Sequence, residues 1–135
     1  MGQVYKVELE GPCGEGEDRN QALKVLHPNV TLNREYVSRF LEEGRLATSF
    51  QHEGIVRTYD LFFKEGLLGI RMQYIPDGTL RDRIKPDTHS DPALALQFCL
   101  QVAKALAYSH KAGVVHRDVK QENIMVSQNR FVFIF

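Results

Sequence analysis

Residues 113–126 read GVVHRDVKQENIMV. Two valines, Val114 and Val115, lead into His116, Arg117 and Asp118. Lys120 and Asn123 follow, and Ile124, Met125 and Val126 are apolar again. Taken singly, each polar residue has a plain structural explanation: His116 as a satisfied core histidine, the others as solvated loop charges. Their combination has a chemical one. A carboxylate at Asp118 can take a proton from a hydroxyl. Lys120, two residues on, shares its side of an extended backbone and offers a cation for a phosphate oxygen. Asn123 adds an uncharged oxygen suited to a hard cation such as Mg²⁺. A base, a cation and a metal ligand within six positions are the parts that phosphoryl transfer needs.

The patterns on either side give this loop its setting. Upstream, HSDPALALQFCLQVAKALAYSHKAG reads as a helix. Asp91 is a good N-cap, Pro92 suits the first helical position, and Gly113 closes the C-terminus. His110 and Lys111 lie in the last turn, where the helix dipole favours positive charge. Downstream, Ile124 to Val126 and Arg130 to Phe135 read as two short strands around a turn at SQNR. Further upstream, GIVRTYDLFF (54–63) and LLGIRMQYI (67–75) read as strands joined at KEG, with another turn at Asp77-Gly78. From Arg34 to Phe50, Val37, Phe40, Leu41, Ala47 and Phe50 recur at helical spacing, and Gly44 on the same stripe predicts close packing. HPNVTLN (27–33) is a connector. QALKVL (21–26) reads as a buried strand carrying one lysine, Lys24. EGPCGEGEDRN is a loop, and Val4 to Leu9 alternates as a strand. Several strands with one helix, followed by a largely helical region and a small hairpin, predict an α+β protein in two subregions.

Composition narrows the classes. The 135 residues suit one domain, and 43% hydrophobic with 25% charged residues is the balance of a globular chain. A formal net charge of zero argues against binding nucleic acid or an anionic membrane through bulk charge. Cys13 falls in the Gly/Glu-rich loop and Cys99 in the helical pattern, so no disulfide is expected and a reducing, cytoplasmic setting fits. No apolar run has the length of a membrane span, and the N-terminus has no signal-peptide core. Met1-Gly2 does not read as a myristoylation site, because Lys6 stands where Ser or Thr is wanted.

HRDVKQEN (116–123) resembles the catalytic loop of protein kinases, H-R-D-x-K-x-x-N. Lysine two residues after the aspartate is the Ser/Thr form. Arg117 and Lys120 together favour a protein substrate over a small molecule. The resemblance continues upstream in the right order. QALKVL resembles V-A-I-K, which makes Lys24 the lysine for the α- and β-phosphates of ATP. RFLEEGRLATSFQHEGIVRTYD (39–60) resembles helix C and the strand after it, and matches Glu43 to the partner of Lys24. Glu42 would point about 100° away around the helix. GIRMQYIPDGTL (69–80) resembles the fifth strand and hinge. The resemblance implies that Met72 stands beside the adenine, that the backbone of Gln73 and Ile75 bonds the base, and that Val4, Ala22 and Met125 sandwich it. Gly2 and Val4 match the tail of the Gly-rich loop. Asp118 would orient the substrate hydroxyl, Lys120 steady the transferring phosphate and Asn123 hold Mg²⁺. ATP, Mg²⁺ and a protein with a Ser or Thr hydroxyl are the implied cofactors and partner, in the manner of bacterial Ser/Thr kinases.

The expected fold is a protein-kinase-like small β-rich lobe with helix C over 1–75, then the hinge and the start of the helical large lobe over 76–135. The first two glycines of the Gly-rich loop lie outside the match, and the D-F-G aspartate would fall just after Phe135. The expectation is therefore a partial kinase domain, inactive by itself, with FVFIF as the strand leading to that aspartate. Other departures are Gln121 where the family has proline, and Ala47 and Thr58 where larger apolar residues help tie helix C to the catalytic loop. The loop at GPCGEGED is longer than usual and has no assigned role. A non-catalytic pseudokinase or nucleotide-binding scaffold is the alternative. A further one is a chain that does not fold alone because apolar faces are left exposed.

Overall fold

A computed structural model describes residues 2–26, 34–64, 66–84, 91–127 and 130–133. The connector at 27–33, the centre of the 127–130 turn and the end of FVFIF lie outside the described residues. The chain divides into two units, residues 1–50 with 57–74, and residues 51–56 with 75–135.

The first unit is an antiparallel sheet with one helix. Strands β1 (Gly2–Glu8), β2 (Asn20–Leu26), β3 (Thr58–Lys64) and β4 (Leu67–Gln73) lie in the order β1-β2-β4-β3. Register decides which side chains share a face, because alternate residues point to opposite sides. Lys24 pairs with Val4 on one side and Ile70 on the other, and Ala22 pairs with Lys6 and Met72. Leu23 pairs with Tyr5 and Arg71, and Arg71 with Asp60, which puts these on the opposite face. Helix α1 (Arg34–Thr48) buries Phe40, Gly44 and Ala47, with Phe50 buried just beyond its end. This is the stripe read from the sequence. Gly44 meets Leu61 and Ile70, so α1 lies on the Lys24 face. Leu26, Leu68, Ile70 and Met72 complete this core.

Two strand readings are corrected. Gly54–Arg57 is not strand: residues 51–56 belong to the second unit. There Gly54 N–H donates to His52 Nδ1 at 2.9 Å, Gln51 N–H donates to the Tyr108 hydroxyl at 3.2 Å, and Gly54 packs close to Ala105. Ile55 makes a single isolated bridge and Val56 none, and both are buried, so the apolar run here reflects burial outside any strand. At the other strand, Tyr74 and Ile75 fall outside β4. The Gln73 N–H donates to Arg57 O at 2.8 Å, and the chain leaves the ladder before Pro76, which cannot donate.

In the second unit, helix α2 (Leu80–Arg83) was not expected. It is one turn, started by a capping box in which Thr79 and Asp82 satisfy each other's backbone. Helix α3 (Pro92–Lys111) starts as read, with the Asp91 side chain accepting from the Ala93 N–H at 2.9 Å and Pro92 in the first turn. It ends at Ala112, and Gly113 has φ +79°, a left-handed conformation that glycine adopts without a Cβ penalty. Strands β5 (Ile124–Ser127) and β6 (Arg130–Phe133) form the hairpin. Phe98 of α3 meets Phe131 edge to face, and Gln101 Oε1 accepts from the Phe131 N–H at 3.2 Å. Among the described residues no helix is long and apolar enough to cross a membrane. Cys13 and Cys99 are free thiols.

Candidate functional site

In the second unit the polar loop is built from the end of α3 onward. Val114 N–H donates back to Ser109 O at 3.0 Å, so the chain reverses immediately after Gly113. Arg117 then takes φ +62°, an uncommon conformation for a residue with a side chain. The next amide, Asp118 N–H, turns inward to His116 O at 2.9 Å and His116 Nδ1 at 3.2 Å. Residues Gln121–Asn123 form a single 3₁₀ turn that had not been expected, closed by Asn123 N–H to Lys120 O at 2.9 Å.

These two turns bring three side chains to one point. Lys120 Nζ donates to Asp118 Oδ2 at 2.8 Å, and Asn123 Nδ2 donates to the same oxygen at 2.9 Å and to Asp118 O at 2.8 Å. Both acceptors of the Asn123 amide are oxygens, so the NH₂ group faces Asp118 and the amide oxygen faces away. Lys120 first and Asn123 second hold the Asp118 carboxyl below the usual carboxylate range, and Asp118 in turn raises the Lys120 ammonium. Among the described residues no protein group is bonded to Asp118 Oδ1. One carboxylate oxygen is therefore fixed and the other open. Two N–H positions of Lys120 and the Asn123 oxygen also remain for a ligand.

In the first unit, Lys24 is half-buried on the α1 face of the sheet. Burial lowers its proton affinity, and the Glu43 carboxylate raises it again. Glu42 is not among the influences on Lys24. Lys24 and Glu43 do not form a contact ion pair, however, and Glu43 is exposed. Ala22 and Met72 are buried as ladder partners, Val4 is largely exposed, and Gln73 is half-buried. Gly2 pairs with Leu26 at the end of β1. In the second unit, Ile75 is buried, and half-buried Met125 bridges to Thr79. Ala47 and Thr58 are both buried, the smaller and more polar residues standing inside the core.

The loop without an assigned role proves to be tied down. Arg71 uses all five of its guanidinium N–H groups. Nε and Nη2 donate to Asp60 at 3.0 and 2.8 Å, Nη1 and Nη2 to Glu17 at 2.8 and 3.2 Å, and Nη1 to Gln21 Oε1 at 3.0 Å. Arg57 donates to Gly16 O at 2.7 Å, and the Tyr59 hydroxyl accepts from the Asp18 N–H at 3.4 Å. The signal was an arginine inside an apolar strand pattern, LLGIRMQ, opposite an aspartate.

Comparison with known proteins gives the family of the chain. Residues 1–135 match the protein kinase domain family. The chain is 34% identical over 109 residues to the serine/threonine-protein kinase PrkC of Bacillus subtilis, covering 81% of this chain and 17% of that protein. It is 35% identical over 118 residues to PknB of Mycobacterium leprae, covering 84% of this chain and 19% of that protein. A crystal structure of the Mycobacterium tuberculosis PknI kinase domain superimposes with a TM-score of 0.82 at 31% identity, covering 99% of this chain and 52% of that one. The chain thus spans about a fifth of the length of these curated relatives and about half of the solved kinase domain.

Proposed function

The chain belongs to the protein kinase family, and from that premise we propose that it carries the phosphate-positioning and hydroxyl-activating residues of an ATP-dependent serine/threonine protein kinase. The whole enzyme moves the γ-phosphoryl group of ATP to a protein hydroxyl. The observation that carries this reading is the Asp118 carboxylate. Lys120 and Asn123 hold one oxygen while the other is left to accept the hydroxyl proton. A low proton affinity keeps it ionised at neutral pH and suits it to orienting a hydroxyl more than to deprotonating it fully. Lys120, whose remaining N–H groups are open, steadies the transferring phosphate. Lys24 takes the α- and β-phosphates, positioned by Glu43. Residues 1–50 with 57–74 act as the small lobe, and 51–56 with 75–135 as the hinge and first part of the large lobe.

For the base, the Gln73 N–H is already committed to Arg57, so its carbonyl is the group that serves, together with the backbone of Ile75. Val4, Ala22, Met72 and Met125 supply apolar contact, and Gly2 lets the backbone approach the phosphates. Asn123 fits a Mg²⁺ ion in its chemistry, with a neutral oxygen turned away from Asp118. The described residues gather no cluster of three acidic, His or Cys ligands, so the ion's other oxygens come from elsewhere. When bound, Mg²⁺ neutralises phosphate charge. A cytoplasmic location is proposed on the free thiols of Cys13 and Cys99, which a reducing compartment preserves.

The separation of Lys24 from Glu43 favours a second reading, a nucleotide-binding scaffold without turnover. One experiment separates the two. In the chain extended to the full length of the solved kinase domain, phosphate transfer from labelled ATP to a Ser/Thr substrate is measured with and without Asp118→Asn, alongside nucleotide affinity. The kinase reading expects turnover to fall by about 10²–10⁴ with affinity nearly unchanged. Nucleotide binding without transfer in the unsubstituted protein would establish the scaffold instead.

A further inference from the structure

Glu43 is followed by Gly44, which is buried within helix α1 against the sheet. A Cβ at Gly44 would overlap Cδ2 of Leu61, and would come within 3.0 Å of Leu61 Cγ and 3.4 Å of Ile70 Cδ1. Ile70 is the ladder partner of Lys24, and Leu61 is the ladder partner of Ile70. The helical turn that bears Glu43 therefore rests, through the missing Cβ, on the strands beside Lys24. Intrinsic preference runs the other way, since alanine is the better residue in a helix interior. The glycine here serves close approach, not flexibility.

We propose that Gly44 is a positioning residue: its bare backbone sets the distance of α1 from β3 and β4, and so sets how strongly the Glu43 carboxylate acts on Lys24 across the gap between them. The inference rests on the phosphate-positioning role proposed above for Lys24. Its consequence is geometric. A methyl group at position 44 makes either Leu61 or the helix move, and moving the helix carries Glu43 away from the sheet. Lys24 reports that movement directly. Its ladder neighbours, Val4 and Ile70, are apolar, and among the described residues Glu43 is the charged side chain that acts on it.

The test is the titration of the Lys24 side chain in the whole protein, followed by NMR of isotope-labelled lysine and assigned by its loss in Lys24→Met. Glu43→Gln should shift the titration to lower pH. Gly44→Ala should shift it by the same amount, and Glu43→Gln should then add nothing. Leu61→Ala in the Gly44→Ala background opens space for the methyl group, and should restore both the titration and its sensitivity to Glu43→Gln. Leu61→Ala alone should leave the titration in place. A Gly44→Ala protein that titrates like the unsubstituted one overturns the proposal, as does failure of Leu61→Ala to restore the coupling. Should Gly44→Ala fold too poorly to titrate, the doubly substituted protein decides alone: a Lys24 there that ignores Glu43→Gln overturns the proposal, and one that responds supports it. The readout needs no turnover, so a protein that transfers no phosphate overturns the proposed function and not this inference.

Discussion

Asp118 shows how much chemistry a few neighbouring residues can set. Two donors, Lys120 and Asn123, favour its anion, so its proton affinity lies below that of an ordinary aspartate. A depressed carboxylate contributes stability that is present above the unfolded value and lost as pH falls through the folded one. The same sign governs activity. If Asp118 must be ionised for turnover, the acid limb of the pH–rate profile lies below the usual aspartate range. Lys120→Met removes the larger of the two influences, so the limb should move to higher pH while the neutral plateau also drops. The full pH–rate profile of the variant is the check. An unmoved acid limb would separate Lys120 from the ionisation of Asp118. This cluster was legible in the sequence because its interactions span only six residues. The φ of +62° at Arg117 was not legible. An arginine gives no local sign of a left-handed backbone, which costs on the order of 1–3 kcal/mol and is imposed by the path of the chain between Gly113 and Asp118.

At the scale of elements, periodicity identified the α1 stripe and both ends of α3, where the cap residues act within a turn of themselves. The reading was weaker where burial and pairing part company. Ile55 and Val56 are as apolar as strand residues, yet they are buried in a loop. The T-x-x-D signature at Thr79–Asp82 was available but marks a helix of one turn only. The Arg71 network depends on register. A bulge between Thr58 and Asp60 sets Asp60 opposite Arg71, with Tyr59 alongside at 5.4 Å from the guanidinium carbon to the ring centre. No pattern in the strand alone predicts that slip. The network has a testable weak point in Gln21, whose exposure is 0%. Arg71→Met would leave the Gln21 carbonyl oxygen buried without its donor, at about 1–3 kcal/mol. Denaturant unfolding should show that loss. Gln21→Leu added to Arg71→Met should recover much of it, because no polar atom is then left unpaired at position 21. A double variant no more stable than Arg71→Met would mean that the loop at Glu17 and Asp18, not Gln21, carries the effect.

Each of the two units has its own buried apolar set: Leu26, Phe40, Leu68, Ile70 and Met72 in the first, and Ile55, Val56, Ala105, Ile124, Val126 and Phe131 in the second. The broad α+β order was legible because each unit's elements follow one another in sequence. The placement of residues 51–56 was not, because it depends on contacts with a helix some fifty positions later. Helix α3 poses the last question at this scale. One side meets the hairpin through Phe98 and Gln101 and buries Ala105 and Ser109. Leu96, Leu100, Ala103 and Ala107 recur at helical spacing on another side and are exposed, with Leu96 at 71% and Leu100 at 54%. A helix apolar on two sides is the pattern of one buried on both. The solved kinase domain is about twice the length of this chain. A polypeptide limited to residues 1–135 should therefore self-associate through this stripe. Leu96→Lys with Leu100→Lys should oppose that association without loosening the unit, since neither side chain is in its core. At roughly 1.5 kcal/mol per leucine, the lower end of side-chain burial, the pair should weaken association by at least about a hundredfold, and by more where both copies bury it. Sedimentation velocity across a concentration series reads the association, and thermal unfolding at low concentration reads the fold. Equal association in both proteins would place the contact on another surface. A lower unfolding midpoint in the variant would mean that Leu96 and Leu100 support α3 from within the unit.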